Sequence, residues 1–358
     1  MNQKYIRMLM NNILQISLVL LVIIIIVSIV FYKYQNYISI LSENDIPLVE
    51  FPFKNMFDDE NKLLNIILIS APFREKIHED NYELYKSMGL SFCGISSYIN
   101  FPGHIKNPYE DRYHEEKNHD YPSMVDAWLH CFRSPPVNLQ TSQLPLMRLC
   151  ESDLKDFEKF KPDPSIKKEY DFIYVCLQDN ETCQNGWQSY NRNWYLAKKC
   201  LEIMCGEFKL KGILVGRTNC EFTNKCDGIV KTIPQLDFDK FQIELQKCKF
   251  LFVPNISDAS PRILTEAICY NIPVLVNYNI MGGWHYVVSG VTGEFFINDR
   301  DVGSALRSLT TNLHGYYPRN YFIKNHGKKK DGKRLAQFLI SHYPSINNKN
   351  MKYATIAI

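Results

Sequence analysis

From residue 170 onward, the chain alternates short apolar runs of strand length with longer amphipathic stretches of helical length. This alternation is typical of a parallel sheet whose strands are joined by crossover helices, and it predicts a Rossmann-like α/β domain. Ligands of such domains bind beyond the carboxyl ends of the strands, near helix N-termini. The predicted strands are Phe172–Cys176, Gly212–Val215, Phe250–Val253 and Pro273–Val276, and the predicted helices are Asn193–Cys205, Lys240–Cys248 and Pro261–Tyr270.

The first half of the chain is less regular. Strands are predicted over Asn65–Ser70 and Leu146–Cys150, whereas residues 93–145 are rich in Pro, His, Tyr and acidic side chains and show no clear sheet pattern. Within this segment, only residues 123–132 have the pattern of a helix or a strand. A polar, proline-containing connection around Lys161 is the predicted boundary between two lobes. We expect a small or atypical first lobe over 61–165, a second lobe over 166–320, and a C-terminal helix and tail over 321–358.

Residues 13–32 carry no charge and form an apolar run long enough to cross roughly 30 Å of hydrocarbon. No small-x-small cleavage site follows the run, which favours an uncleaved transmembrane anchor over a signal peptide. Lys4 and Arg7 precede it and favour a cytoplasmic N-terminus, so that the folded part would lie in the lumen of the ER or Golgi. The opposite orientation, with a cytoplasmic folded part, stays open. The expected tail and anchor occupy 1–35, and a stem occupies 36–60.

The eleven cysteines suit disulfides in an oxidising lumen, with short spacings such as Cys220 to Cys226 and Cys200 to Cys205. They could equally be buried small hydrophobic residues, and an odd number leaves at least one unpaired. No C-x-x-C pair supports structural zinc. Sequons at Asn180 and Asn255 would be open to glycosylation in a lumen. A formal net charge of +3 without a basic stripe excludes a typical nucleic-acid binder.

The segment 250–296 contains an ordered set of motifs. A strand leads into a proline-containing loop, Asp258 follows, and Glu266 lies eight positions later on a predicted helix. This order resembles the donor-binding region of the group 1, family 4-like retaining glycosyltransferases, which have the GT-B fold of two Rossmann-like lobes. The helix is followed by the family's turn at Asn271, Pro273 and Val274, its glycine pair at Gly282 and Gly283, and its last element at Gly290, Thr292 and Gly293.

The resemblance implies that a sugar moves from a nucleotide diphosphate-sugar to a hydroxyl of a glycan, lipid-linked or protein acceptor, with retention of configuration and without a metal cofactor. It assigns Glu266 to the ribose hydroxyls and Asp258 to the donor sugar. A carboxylate suits both tasks because it accepts hydrogen bonds from neighbouring hydroxyls. The family usually has Glu at the first acidic position, so Asp258 is one methylene shorter.

The residues themselves predict an anion site at the start of the same helix. Ser260 is a good N-cap residue and Pro261 suits the first helical turn, so that the backbone N–H groups around Arg262 and Ile263 would be open to a diphosphate.

Further donor-binding candidates lie upstream. Gly216 and Arg217 end a predicted strand and resemble the family's glycine element beside the nucleotide base, although Arg217 could equally be a surface arginine. An Asn-Gly pair stands where the family has a phosphate-binding lysine. Arg192, Lys198 or Arg262 could supply the missing cation.

The acceptor side is less constrained by the sequence. His104, His119 and His130 are candidates for the histidine that the family often places near the donor sugar, although His130 lies in an apolar segment and could equally be a satisfied core residue. Asp237 and Asp239 form the Asp-x-Asp pattern with which another glycosyltransferase fold holds a metal. We interpret them as the acidic start of a helix, where they favour the helix dipole, and expect no metal.

Two alternatives stay open. Asp258, the missing lysine and the atypical first lobe would also fit a catalytically inactive GT-B-like membrane protein that binds a nucleotide-sugar or glycan. The basic run between 328 and 334 is typical of a solvated helix face, but it could also attract a phosphorylated acceptor or a membrane surface.

Overall fold

A computed structural model describes the chain over residues 20–27, 46–98, 101–103, 119–139 and 143–357. The predicted anchor lies mostly outside the described residues, and so does His104. Residues 20–27 form a helical segment, α1, with exposed apolar side chains. Within the described part of the chain, no helix combines the length and apolar character that a bilayer crossing requires.

The first lobe is built on a six-stranded sheet. Its strands are β1 (Phe53–Phe57), β2 (Leu63–Ile69), β3 (Ser91–Ile95), β4 (Ala127–His130), β5 (Leu146–Arg148) and β12 (Thr355–Ile356). Their order across the sheet is β12-β1-β2-β3-β4-β5. β1 runs antiparallel to both of its neighbours, and the pairs from β2 to β5 are parallel.

The second lobe has a fully parallel sheet. Its strands are β6 (Tyr170–Val175), β7 (Gly212–Val215), β8 (Val230–Ile233), β9 (Cys248–Val253), β10 (Val274–Asn277) and β11 (Gly293–Phe296). Their order is β11-β10-β9-β6-β7-β8, which is the doubly wound order of a Rossmann domain. The direction of winding reverses between β6 and β9, and the carboxyl ends of these two strands define the position where such domains bind ligands.

Helices cover both sheets. They are α2 (Lys76–Ser87), α3 (Pro135–Leu139), α4 (Trp187–Asn191), α5 (Trp194–Gly206), α6 (Phe238–Gln246), α7 (Arg262–Cys269), α8 (Val302–Thr311), α9 (Pro318–Asn325) and α10 (Lys328–His342). In the second lobe, α7 packs with β9 and β10 in one core, and α5 packs with α8 in the core on the opposite face. Because both faces of the sheet are covered, β9 and β10 are almost continuously apolar.

The predicted elements of the second lobe agree with the structure. The four predicted strands correspond to β6, β7, β9 and β10, and the three predicted helices to α5, α6 and α7, within two residues at every end. The periodicity of these segments is strong because each packs one continuous apolar surface against the sheet.

The first lobe differs from the prediction in extent and regularity. It includes β1, which lies in the predicted stem, and β3, which the prediction lacks. β4 lies within residues 123–132, the segment for which the sequence left helix and strand open. The C-terminal residues are also part of it, because Leu335, Ala336 and Leu339 of α10 share a core with Met56 and Leu64. The predicted C-terminal helix and tail therefore complete the first lobe.

A short 3-10 turn after β5, Glu151–Leu154, joins the lobes through a buried carboxylate. Asp153 accepts hydrogen bonds from Cys150 N at 2.7 Å and from Tyr286 Oη at 2.8 Å, and its Oδ1 lies 2.8 Å from His285 Nε2. Burial raises the pKa of Asp153, but the charge of His285 and these hydrogen bonds outweigh burial and hold the pKa well below its usual range. Asp153 is thus an ionised bridge between the lobes.

Two disulfides lie in the second lobe, Cys183–Cys220 and Cys205–Cys226. The short-spacing pairs suggested by the sequence, Cys220 with Cys226 and Cys200 with Cys205, do not form. Residues five apart on a helix differ by about 140° in direction, so Cys200 and Cys205 of α5 do not face each other. Cys205 pairs instead with Cys226, in the same core. The seven other cysteines are buried thiols.

Gly94 on β3 provides a test of packing in the first lobe. A Cβ atom at this position would lie 2.1 Å from Cε3 of Trp128, a fully buried side chain whose Nε1 donates to Ser96 Oγ at 2.9 Å. We expect Gly94→Ala to lower the free energy of unfolding by about 1–3 kcal/mol, because the indole cannot move away without strain. Urea unfolding followed by fluorescence measures the change.

Gly303→Ala is the matched control. Its Cβ would make only ordinary contact with Phe208 at 3.7 Å, and alanine is the better helix former on α8. Equal stability of the two variants would contradict the packing described for β3 and β4.

Candidate functional site

A cavity of about 740 Å³ opens where the winding of the second sheet reverses. The last residues of β6, β7 and β9, which are Val175, Val215 and Val253, form part of its wall. The residues at the start of α7 form another part. The cavity therefore occupies the position in which doubly wound domains bind their ligands.

The N-terminus of α7 opens into this cavity without a side-chain cap. Pro261 is the N-cap residue, and Arg262 and Ile263 line the cavity. The prediction that Ser260 caps the helix is wrong, because its Oγ lies 2.9 Å from Ser152 Oγ and accepts from Ser152 N at 3.2 Å, both in the first lobe. Uncapped N–H groups at a positive helix end are suited to an anion.

Asp258 lies in the cavity wall, just before α7. Its Oδ2 is 2.5 Å from Arg192 Nη1 and accepts from Asn255 Nδ2 at 3.3 Å. Its backbone carbonyl accepts from Gly282 N at 2.9 Å. A Cβ on Gly282 would lie 1.8 Å from the Ala259 carbonyl oxygen, so the first glycine of the pair is required for the loop to approach Asp258 this closely.

Glu266 lines the same cavity and its side chain is buried. Its Oε1 is 2.9 Å from Lys155 Nζ, and its Oε2 accepts from Gln242 Nε2 at 3.0 Å. Lys155 comes from the connection between the lobes. Sequence reasoning missed both partners, because neither belongs to a motif and each is far from Glu266 along the chain.

Part of the cavity wall is apolar. Phe238 and Phe241 of α6 lie there, together with Leu177 and Leu236. Flat aromatic side chains next to aliphatic ones suit the face of a nucleotide base. Asp237 caps α6 by accepting from Lys240 N at 3.0 Å, so the Asp-x-Asp pair serves helix formation as interpreted above.

Arg217 does not reach the cavity wall. It is fully buried, donates to Asp179 at 2.8 Å and to Ser189 Oγ at 2.6 Å, and stacks over Trp194 with 4.7 Å between its guanidinium carbon and the ring centroid. Its contacts hold the loop after β6 in place. The expectation that it contacts base or phosphate is therefore corrected.

Some of the other donor-binding candidates line the cavity and others do not. Gly216 directly follows β7, has a φ of +97°, which glycine tolerates, and packs against Leu177. Lys198 lies over the Trp194 ring and does not line the cavity. Of the three cations proposed for phosphate, the structure places Arg192 and Arg262 at the cavity.

Neither described histidine candidate from the first lobe lines the cavity. His119 lies 3.5 Å from Glu79 in the first lobe. His130 is buried and stacks on Phe132, which fits the core interpretation. Burial, with additional repulsion from Arg148, lowers the pKa of His130 to about 4.

Among the described residues, one group of side chains has the composition of a metal site. Asp153, His285 and His326 place their ligand atoms within 4.8 Å of one another. The group lies outside the cavity wall, and Asp153 is already engaged by hydrogen bonds between the lobes. We interpret it as an ion-pair network.

Comparisons with known proteins give similarity in fold at low sequence identity. No protein-family model and no curated protein sequence matches the chain. The structure of HepE from Anabaena in complex with UDP and glucose aligns at 11% identity with a TM-score of 0.53, over 76% of this chain and 77% of that one. Sucrose-phosphate synthase from Thermosynechococcus elongatus aligns at 10% identity with a TM-score of 0.52, over 74% and 71%.

TarM aligns at 10% identity with a TM-score of 0.51, over 69% of this chain. The chain spans only 50% of the length of TarM. The fold is GT-B. In this GT-B protein, the structure describes all the strands named for both sheets and the residues that line the cavity at the reversal of the second sheet.

His130 provides a test of the electrostatics next to the lobe junction. We expect His130 to stay neutral down to about pH 4, below its ordinary pKa of 6.5. Between these values the unfolded state binds the proton and the folded state does not, so His130 contributes a loss of stability as the pH falls from 6.5 towards 4. NMR titration of the imidazole measures the pKa directly.

Arg148→Gln is expected to raise the pKa of His130, since it removes the repulsion while burial persists. Arg307→Gln, on the exposed face of α8, is the control. An ordinary pKa for His130 in the unmodified protein would contradict its burial.

Proposed function

We propose that this protein is a glycosyltransferase that moves a sugar from a nucleotide diphosphate-sugar to an acceptor hydroxyl. The observation that carries the proposal is the uncapped N-terminus of α7, which opens into the cavity between Asp258 and Glu266. An anion-binding helix end flanked by two carboxylates has complementary groups for both the charged and the hydroxylated parts of such a donor.

The diphosphate would bind at the start of α7 beside Arg192 and Arg262. Arg192 takes the role of the missing lysine, and its present contact with Asp258 keeps the guanidinium in the cavity. When the bond between the sugar and the phosphate breaks, negative charge grows on the departing diphosphate. The helix end and the guanidinium groups stabilise this charge without having to reorganise.

The carboxylates would orient the rest of the donor. Glu266 faces the ribose hydroxyls, and Lys155 and Gln242 hold its carboxylate in one orientation. Asp258, nearer the start of the helix, faces the hydroxyls of the sugar. The aromatic wall at Phe238 and Phe241 would hold the base by stacking.

We infer retention of configuration from the resemblance to family 4-like enzymes. In such a reaction the acceptor oxygen bonds to the anomeric carbon on the face that the diphosphate leaves, and the acceptor proton passes to the departing phosphate oxygen. No protein nucleophile is required. The carboxylates therefore act by binding and orientation, and the proposal needs no metal or other cofactor.

Uridine diphosphate is the first nucleotide to test, because HepE was solved with UDP and glucose and TarM with UDP. We expect calorimetric titration to show binding of UDP and weaker binding of uridine. Arg192→Gln should weaken UDP by about tenfold or more, since it removes a charged contact with phosphate, and should leave uridine unchanged. Arg307→Gln should bind both like the unmodified protein. Equal losses for UDP and uridine would contradict the role of Arg192.

Turnover separates the enzyme from the alternative of an inactive GT-B-like binding protein. Release of UDP from UDP-sugars by the unmodified protein, with loss in Glu266→Gln and retention in the exposed control Glu202→Gln, supports the enzyme. Binding without turnover across a broad acceptor panel would support the alternative.

We also propose that the folded part lies in an oxidising lumen behind a membrane anchor at residues 13–32. The two disulfides support this placement, since such bonds persist in oxidising compartments. The sequon at Asn180 is exposed, whereas Asn255 is buried beside Asp258. The buried position agrees with a donor site that carries no glycan.

Alkylation under denaturing, non-reducing conditions tests the disulfides. We expect mass spectrometry of protein purified from its native compartment to show seven modified cysteines, because four of the eleven are paired. Prior reduction should raise the number to eleven. Eleven modified cysteines without reduction would contradict the oxidising location.

A further inference from the structure

A second cavity, of about 470 Å³, lies at the junction of the lobes and has no role in the proposed donor site. Arg133 and Arg148, which follow β4 and end β5, contribute from the first lobe. Trp284 and His285 contribute from the second lobe, and Arg334 from α10. Three guanidinium groups from distant parts of the chain therefore converge on one opening.

The guanidinium groups are held in place by aromatic rings. The guanidinium carbon of Arg133 lies 4.4 Å from the centroid of Tyr278 and 4.7 Å from that of Trp284, and Nη2 donates to the Tyr278 carbonyl at 2.6 Å. Arg148 lies over the same Trp284 ring at 5.5 Å. Stacking of this kind limits the motion of arginine and leaves N–H groups free at the edge of its plane.

The nearby carboxylates do not neutralise the cavity. Asp331 is fully buried, binds Arg334 Nη1 at 2.7 Å and accepts from Gly327 N at 3.1 Å. Asp153 is buried and engaged by His285 and Tyr286. Within the described residues, Arg148 is exposed and forms no ion pair, so that an excess of positive charge faces the opening.

His285 adds a possible donor. Its Nε2 faces Asp153, while its Nδ1 is buried and has no hydrogen-bond partner among the described residues. A buried ring nitrogen without a partner is unfavourable. A polar group of a ligand in the cavity that His285 lines could satisfy it.

The cavity is adjacent to the sugar end of the proposed donor site. Trp284 follows the glycine pair, whose first member, Gly282, donates its N–H to the Asp258 carbonyl. Across the lobes, Trp284 Nε1 donates to the Cys131 carbonyl at 2.9 Å. Only Gly283 thus separates Gly282, which contacts the Asp258 loop, from Trp284 in the wall of the cationic cavity.

We propose that this cavity binds a phosphate group carried by the acceptor. Planar guanidinium groups form paired hydrogen bonds with the oxygens of a phosphate. Three of them surround this opening, and the carboxylate of Asp331 pairs with only one, Arg334. The inference rests on the proposed function, since it places the phosphate of the acceptor beside the donor sugar. It also fits the origin of the cavity wall, because the arginines come from the first lobe and Trp284 and His285 from the second, and an acceptor must be held between the lobes.

Phosphate binding can be tested apart from the donor site. The full chain carrying Arg192→Gln, which weakens the diphosphate site, is titrated with inorganic phosphate by calorimetry or ³¹P NMR at fixed ionic strength. We expect saturable binding, and a further Arg148→Gln substitution should weaken it by about tenfold or more. Adding Arg307→Gln instead should have no effect. Absence of saturable binding, or equal affinity in the Arg148→Gln protein, would overturn the proposal.

A second measurement distinguishes an acceptor phosphate from free phosphate. Hexose phosphates and their unphosphorylated counterparts are offered as acceptors with a UDP-sugar, and glycoside products are detected by mass spectrometry. We expect products from phosphorylated sugars only, with a higher KM in Arg148→Gln and little change in kcat. Products from both classes at equal efficiency, or phosphate binding without any effect on transfer, would overturn the acceptor role. If no nucleoside diphosphate binds, the proposed function is refuted, while the phosphate titration still reports on the cavity.

Discussion

The buried carboxylate of Asp153 determines how the two lobes meet. It lies on the first-lobe turn after β5, and it receives hydrogen bonds from Tyr286 and His285 of the second lobe as well as from its own turn. A buried charge without such partners would be strongly destabilising. The alignment of the lobes is therefore coupled to the ionised state of Asp153. The same contacts fix the positions of the neighbouring residues on its turn.

Those neighbours make the cavity at the start of α7 a property of both lobes. Glu151 pairs with Arg262 at 3.2 Å, Ser152 bonds to Ser260, and Lys155 pairs with Glu266. A ligand that engages Arg262 or Glu266 must share these groups with the first lobe. Occupancy of the cavity and the arrangement of the lobes are consequently linked in free energy, which suits a site that binds one substrate from each side.

The distribution of charge is more informative than its sum. A formal net charge of +3 conceals two separate groups of cations. In the cavity at the start of α7, Arg192 and Lys155 are each paired with a carboxylate. Their positive charges are therefore largely balanced, and they can orient a polar ligand with little excess positive charge. At the lobe junction, Arg133 and Arg148 face an opening without such compensation. The first arrangement favours discrimination among hydroxyl groups and phosphates, and the second favours capture of an anion.

The sequence alone determined the second lobe and the order of its motifs, because strand periodicity, the turn at Pro273 and the spacing of Asp258 and Glu266 around one helix are local properties of the chain. Only the tertiary structure showed that Lys155 meets Glu266, that Arg217 is buried behind the wall, and that Cys205 pairs with Cys226. It also showed that α10 returns to complete the first lobe. These features depend on contacts between residues far apart in the chain, and periodicity and spacing carry no information about which distant surfaces meet.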